Sequence, residues 1–203
     1  MNQDYPLELQ KVIDFHGHFC PGLAIGYRAA KAAIEKLQVE RSEDEELIAI
    51  VETDACGIDA VQSLLGCTMG KGNLIYKDYG KQAYTIASRK QIKAVRVVMR
   101  ANVFTQTPAQ EKLRSAVFGG QASVDQQKEF KELQQARIKQ LLTTDTAKLF
   151  KVDFVEMPLP KPAIIFKSVT CDFCGESMME PRARLKDGKV ACLSCNEEYS
   201  RGW

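Results

Sequence analysis

The sequence has little of several things that would place it at once. It holds two histidines, one tryptophan and 8% aromatic residues, and no apolar run approaches the ~18 residues that a membrane span requires. Charge of one sign is also missing, since 28 Lys and Arg face 26 Asp and Glu in 203 residues. That near balance argues against a protein whose main task is gripping a polyanion through a broad basic face. The opening residues Met1-Asn2-Gln3-Asp4-Tyr5-Pro6 carry neither the basic nor the apolar stretch of a secretory signal. Export and membrane insertion are not expected, and a cytoplasmic location is. Internal repeats and low-complexity tracts are absent as well. The remaining composition, 45% hydrophobic and 27% charged residues, suits a globular chain with one good core and an appendage.

Cysteine, by contrast, is plentiful. Of seven cysteines, Cys20, Cys56 and Cys67 share the first part of the chain with both histidines, and the other four lie in the last quarter. In a reducing compartment that distribution reads as metal ligation or thiol chemistry before it reads as disulfides.

The composition changes once, at Met157-Pro158-Leu159-Pro160-Lys161-Pro162. Three prolines so close can neither continue a helix nor occupy a central strand, and they favour a stiff, extended connector. The expected organisation is a core over 1–157, a linker over 158–167 and a small domain over 168–203. In the core, residues 7–15 read as a short amphipathic helix. A second helix over 21–37 opens on Pro21 and carries Leu23, Tyr27, Ala30, Ile34 and Leu37 on one stripe. Its further alanines allow close approach on more than one face, so it is expected to be buried. Strands are expected around 47–51, 84–87, 95–99 and 152–155, and short or long helices over 58–65, 108–118 and 123–142. Thr107 is a plausible N-cap. Helices and strands mixed without strict βαβ alternation indicate an α+β fold.

Cys171-Asp172-Phe173-Cys174 and Cys192-Leu193-Ser194-Cys195 form two Cys-x-x-Cys knuckles at the separation expected of a tetrahedral thiolate zinc site. Gly175 suits the turn after the first. So short a segment, with few large apolar groups, needs a metal or another staple to fold. The expected zinc is structural, because four thiolates leave no open coordination position; a disulfide-stapled tail or four reduced thiols are the alternatives. Seven Lys and Arg against six carboxylates from Pro158 onward favour protein contact, including self-association, over nucleic acid.

The second constellation is His16-x-His18-x-Cys20-Pro21-Gly22. Cys20 falls at a helix N-cap, where the dipole and free N–H groups favour a thiolate. Cys56 stands in a similar place before the helix over 58–65, with Asp54 before it and Asp59 after, and Cys67 lies at that helix's other end. His16, His18, Cys20, Cys56 and Cys67 are therefore candidate ligands of a second transition metal, with Cys20, Cys56, Asp54 and Lys71 as catalytic candidates. Small buried cysteines and helix-capping histidines are the bland alternative. The stretch Gly66-Cys67-Thr68-Met69-Gly70-Lys71-Gly72-Asn73 lacks the spacing of a Walker motif. It reads as a glycine-rich turn or an anion-binding nest, with Lys71 placed to hold an acidic ligand.

At these residues the chain resembles the formylmethanofuran dehydrogenase E-subunit family. The resemblance rests on His16-Gly17-His18-Phe19-Cys20-Pro21-Gly22, Thr53-Asp54-Ala55-Cys56 and Gly66-Cys67-Thr68-Met69-Gly70-Lys71-Gly72-Asn73-Leu74, in that order. It covers roughly the first 155 residues, and the tail resembles the zinc-finger extension of some members. It implies an α+β core, a tightly intertwined homodimer, a metal pocket built from the His and Cys positions, and membership of a larger enzyme complex as one setting. The family name derives from a molybdenum or tungsten enzyme that reduces carbon dioxide onto methanofuran. This chain shows no pterin-binding or iron–sulfur pattern for that chemistry, so the fold and metal site carry over and the redox activity does not.

Three functions are compatible with these readings. The first is a dimeric metal-binding protein, accessory or sensory in metal or molybdoenzyme metabolism. A second is a stand-alone thiol- or metal-dependent enzyme on a small anionic substrate. The third is a zinc-finger regulatory or RNA-binding protein.

Overall fold

The core is laid on one helix. Residues Pro21–Leu37 form α2, with Cys20 as N-cap, Pro21 at the first position and Gln38 closing the end in the left-handed region at φ 53°. Leu23, Ala24, Tyr27, Ala29, Ala30, Ala32, Ala33 and Leu37 are all buried. That is too wide a set for a single stripe, and α2 is covered on most sides as its alanine content requires.

The computed structural model describes residues 5–101 and 103–196. The chain divides into two compact units, 1–162 and 163–203. In the first unit α2 follows α1 (Leu7–His16) and precedes β1 (Leu47–Val51), α3 (Gly57–Leu65), β2 (Leu74–Tyr76), β3 (Ala83–Ser88), β4 (Lys93–Met99), α4 (Pro108–Phe118), α5 (Val124–Thr143), α6 (Thr146–Leu149) and β5 (Phe150–Val155). Five strands make one sheet in the order β2-β1-β3-β4-β5, with β1 and β2 parallel and the other pairs antiparallel. The fold is α+β. Expected and observed elements agree closely except for β2 and α6, which are too short to carry a periodic pattern.

Strand alternation divides the core in two. Leu47, Ala49, Val51, Tyr84, Ile86, Val95, Val97 and Phe150 face the α2 side and join its alanines in the main cluster. On the other face Ile48, Ile50, Ala87 and Ala94 pack with Ile75, Val155, Met157 and Leu159. Leu159 lies inside the expected linker, and Arg89 also donates to the Pro160 carbonyl at 2.7 Å. The first residues of the proline segment are thus a strap on the sheet, and the connector proper begins only beyond Pro160.

Two close contacts fix how the helices sit. Arg28 on α2 donates to the carbonyls of Leu142 at 2.9 Å and Thr144 at 2.8 Å, and also to that of Leu141. A cation there satisfies the free carbonyls at the end of α5. Between α2 and α3 the backbones themselves touch: a Cβ on Gly26 would overlap the Gly57 backbone, and one on Gly57 would strike the Tyr84 hydroxyl. Glycine is required at both for that approach. Further along, α4 and α5 begin on full capping boxes, Thr107 with Gln110 and Ser123 with Gln126. Their outer parts are largely exposed, with Phe118 and Phe130 meeting edge-on at 5.7 Å.

The second unit holds two small hairpins, β6 (Ser168–Thr170) with β7 (Ser177–Met179) and β8 (Arg184–Lys186) with β9 (Lys189–Ala191). No helix among the described residues is long and apolar enough to cross a membrane.

Gly26→Ala should destabilise the protein by about 3 kcal/mol, because the methyl group meets backbone that cannot step aside. The roughly 1 kcal/mol that alanine gains in helix propensity does not offset this. Gly70→Ala, with nothing within 4 Å of the added Cβ, should be near neutral. Chemical denaturation of both variants checks the contrast.

A second prediction comes from Glu52, buried at the end of β1. Its carboxylate takes a two-pronged contact from Arg96, both N–H···O distances 2.8 Å. That hydrogen-bonded pairing holds the Glu52 carboxyl below its ordinary pKa, against the opposing effect of burial. A carboxyl depressed in the folded state contributes stability that is present above its unfolded pKa and lost as pH falls through the folded value. Glu52→Gln should cost about 2 kcal/mol at neutral pH and less in acid, giving a flatter acid limb in urea denaturation measured across pH.

Candidate metal centres

Three helix ends build the core site. The first helix stops at His16 because Gly17, at φ 88°, turns the chain and returns its N–H to the Ile13 carbonyl at 2.8 Å. Three residues later the chain re-enters helix at Cys20, whose sulfur accepts the Leu23 N–H at 3.3 Å. Cys56 opens α3 in helical geometry without capping it. Leu9 and Val12 from α1, Leu23 and Tyr27 from α2 and Ala60 from α3 form the buried cluster that holds these ends together.

At that corner a ring nitrogen of His16 and the sulfurs of Cys20 and Cys56 lie within 4.8 Å of one another. Gly22 leaves room beside both thiols: a Cβ there would lie 3.3 Å from the Cys56 Cβ, 3.7 Å from its sulfur and 3.8 Å from the Cys20 sulfur. Burial, and then the hydrogen bond with Cys20, pushes the Cys56 thiol above its ordinary pKa.

His16 is held with care. Its Nδ1 meets the Asp59 carboxylate at 2.6 Å, and the other Asp59 oxygen accepts from Gln62 at 3.1 Å. Its Nε2 is buried and has no hydrogen-bond partner. An orphaned buried ring nitrogen costs stability unless something coordinates it. A carboxylate on one nitrogen and a soft donor set around the other is the arrangement of a metal-binding histidine with its outer partner. One imidazole and two thiols fit a borderline or soft transition metal. Three protein donors also leave a coordination position open.

The other candidates stand elsewhere. His18 is exposed, its ring 4.5 Å from that of His16, and it is not among the clustered donors. Cys67 is fully buried in the main core beyond the far end of α3, one nine-residue helix from Cys56. Burial raises its thiol to about 12, so the bland reading of a small core cysteine fits it. Asp54 is exposed. Lys71 gives its ammonium to the carbonyls of Glu43 at 3.0 Å and Asp44 at 2.8 Å. The surrounding turn is closed on itself by Asn73, which accepts the Thr68 N–H at 2.9 Å and donates to the Asp44 and Leu47 carbonyls. Sequence reasoning named Asp59 without giving it a role. A carboxylate three residues after a Cys at a helix start was the available signal, but its pairing with His16 across 43 residues was not readable.

In the second unit the sulfurs of Cys171, Cys174, Cys192 and Cys195 lie within 4.8 Å of one another. Gly175 turns the first knuckle at φ 75°, with its N–H on the Cys171 carbonyl at 2.9 Å. The Cys192 N–H points at the Cys171 sulfur at 3.3 Å. Backbone N–H groups, that of Cys174 foremost, lower the Cys171 thiol to about 6. Cys195 is raised to about 12 by its hydrogen bonds with Cys192 and Cys174. Four sulfurs this close share protons among themselves, and a cation is the natural substitute for those protons. The cluster is compatible with a zinc ribbon.

Asp59→Asn should weaken metal affinity at the core cluster by about 10–100-fold, since the carboxylate fixes the tautomer that presents Nε2. The Cys171–Cys195 cluster should be unaffected. Competition against a chromophoric chelator reads both, and unchanged affinity at the core cluster would count against this role.

Comparison with known proteins agrees with the geometry. The model of the family described as FmdE, molybdenum formylmethanofuran dehydrogenase operon, matches residues 15–151, a span that contains His16, Cys20, Cys56 and Asp59. A probable S-adenosyl-L-methionine-binding protein of Archaeoglobus fulgidus is 38% identical over 198 residues, covering 94% of this chain and 53% of that protein. The chain thus spans about half the length of this relative. The crystal structure of an FmdE-like protein of the tungsten formylmethanofuran dehydrogenase type from Syntrophus aciditrophicus superposes with a TM-score of 0.58 at 25% identity, over 92% of this chain and 89% of that one. The chain belongs to the FmdE family.

Proposed function

We propose that the protein is a dimeric metal-binding accessory or sensory protein in metal or molybdoenzyme metabolism. In this reading His16, Cys20 and Cys56 hold a transition metal with one position left for an exogenous ligand, and Cys171, Cys174, Cys192 and Cys195 hold a structural zinc. The observation that carries it is the buried Nε2 of His16, unpartnered and facing two thiols while Asp59 occupies Nδ1. A bound metal would supply Lewis acidity at the open position. The chain's own residues do the rest: Asp59 orients the imidazole, the Leu23 N–H steadies the Cys20 sulfur, and Gly22 keeps the space beside both thiols clear.

The open position also supports a second reading, a stand-alone metal-dependent enzyme on a small anionic substrate. Lys71 is then not the group that holds the anion, because its ammonium is committed to two carbonyls. Nothing in the geometry of either cluster selects the ligand named for the longer Archaeoglobus relative.

Metal content per chain tests the proposal. The intact protein should carry one ion for each cluster. Cys20→Ser should lose one ion and keep the other, and Cys174→Ser should do the reverse. Substitution is preferable to truncation after Val155, which would strip Met157 and Leu159 from the sheet. A Cys20→Ser variant with full metal content would remove the core site from the account.

A further inference from the structure

Beside the core site, α4 and α5 enclose a groove of about 410 Å³ that ends on Pro21, the covalent neighbour of Cys20. The volume is in the range of small-molecule sites. One wall is apolar, made by Phe118, Phe130 and Leu133, while Arg114 and Arg137 supply positive charge and no Asp or Glu lines the groove.

Arg137 is the unusual member. Arg28, Arg89, Arg96 and Arg100 all give N–H groups to carbonyl or carboxylate oxygens. Arg137 is half-buried and stacks over the Phe104 ring at 4.3 Å. Among the described residues it has no carboxylate within ion-pair distance and donates to no oxygen. Burial makes its charge less favourable. Stacking sets the plane of the guanidinium and leaves its fork of donors unspent, the geometry that receives a planar or tetrahedral oxyanion through two parallel hydrogen bonds.

We propose that the groove between α4 and α5 binds a small molecule bearing an oxyanion, carboxylate or phosphate, with Arg137 as the anchor and Arg114 as the second cation. The remainder of the ligand lies along Phe118, Phe130 and Leu133 and runs towards Pro21. This site goes beyond the metal reading and does not depend on it, since no metal ligand contributes to the anchor.

Calorimetric titration of the full-length protein with inorganic phosphate, glutarate and the uncharged glutaramide tests the assignment, before and after chelation of metal. At least one of the two anions should bind, glutaramide should not, and chelation should leave the anion affinity in place. Phosphate binding alone identifies a phosphoryl source, and glutarate alone a carboxylate one. Arg137→Gln should weaken binding by about tenfold or more, and Arg137→Lys, which keeps charge but loses the fork, should fall between. The lysine variant also serves if the glutamine variant does not fold. Binding of neither anion at millimolar concentration overturns the proposal, as does affinity that both variants leave unchanged or that glutaramide matches. Core metal content measured on the same variants separates this outcome from failure of the metal site.

Discussion

The backbone contact between α2 and α3 is the constraint on which the rest of the core depends. Gly22 and Gly26 lie four residues apart, on one face of α2, and Gly57 meets that face with no side chain between them. Only at this separation do the starts of the two helices stand side by side, which sets the Cys20 and Cys56 sulfurs near one another. Buried Tyr84 closes the same spot from the sheet, its hydroxyl donating to Gln82 at 2.7 Å. One steric fact therefore joins packing to chemistry: the residue type that permits the helix crossing is also the one that keeps the space beside the thiols open.

The two clusters answer different physical needs. The second unit has few large apolar groups, and its four sulfurs gather where a core would otherwise be, with Cys171 and Ala191 its buried centre. The first unit has ample apolar burial without any ion, through three clusters on both sides of its sheet. Its donors are not needed to hold the sheet and α2 together. A set that is dispensable for the main core and short of one donor is arranged for exchange with something outside the protein.

Much of this was legible in the sequence, for identifiable reasons. Long elements with clean boundaries could be read: Pro21 and the alanine-rich run marked α2, and Thr107 with Pro108 marked α4. The paired knuckles announced their cluster by spacing alone. The features that could not be read were long-range. The three-residue strand β2 acquires meaning only from its parallel pairing with β1. Cys67 resembles Cys20 and Cys56 in sequence, yet it follows the far end of α3 and faces the core. Lys71 stands in a glycine-rich turn that resembles an anion nest until Asn73 is seen to occupy its amides and carbonyls. The strap at Met157–Pro160 was hidden by its prolines, which specify stiffness but say nothing of what a stiff segment lies against.

The short first helix has a further consequence. Its buried residues are Leu9 and Val12, and its polar ties run from Glu8 to Tyr27 at 2.8 Å and to Lys31. It is thus the most lightly anchored of the three helices at the corner, and it alone delivers the imidazole. Coordination of a cation by His16, Cys20 and Cys56 would staple this helix to its two neighbours, converting binding energy into local order at the amino-terminal end. Occupancy would then be written in how firmly that first helix is docked, a mechanical signal available on the surface to anything that distinguishes a fastened end from a loose one.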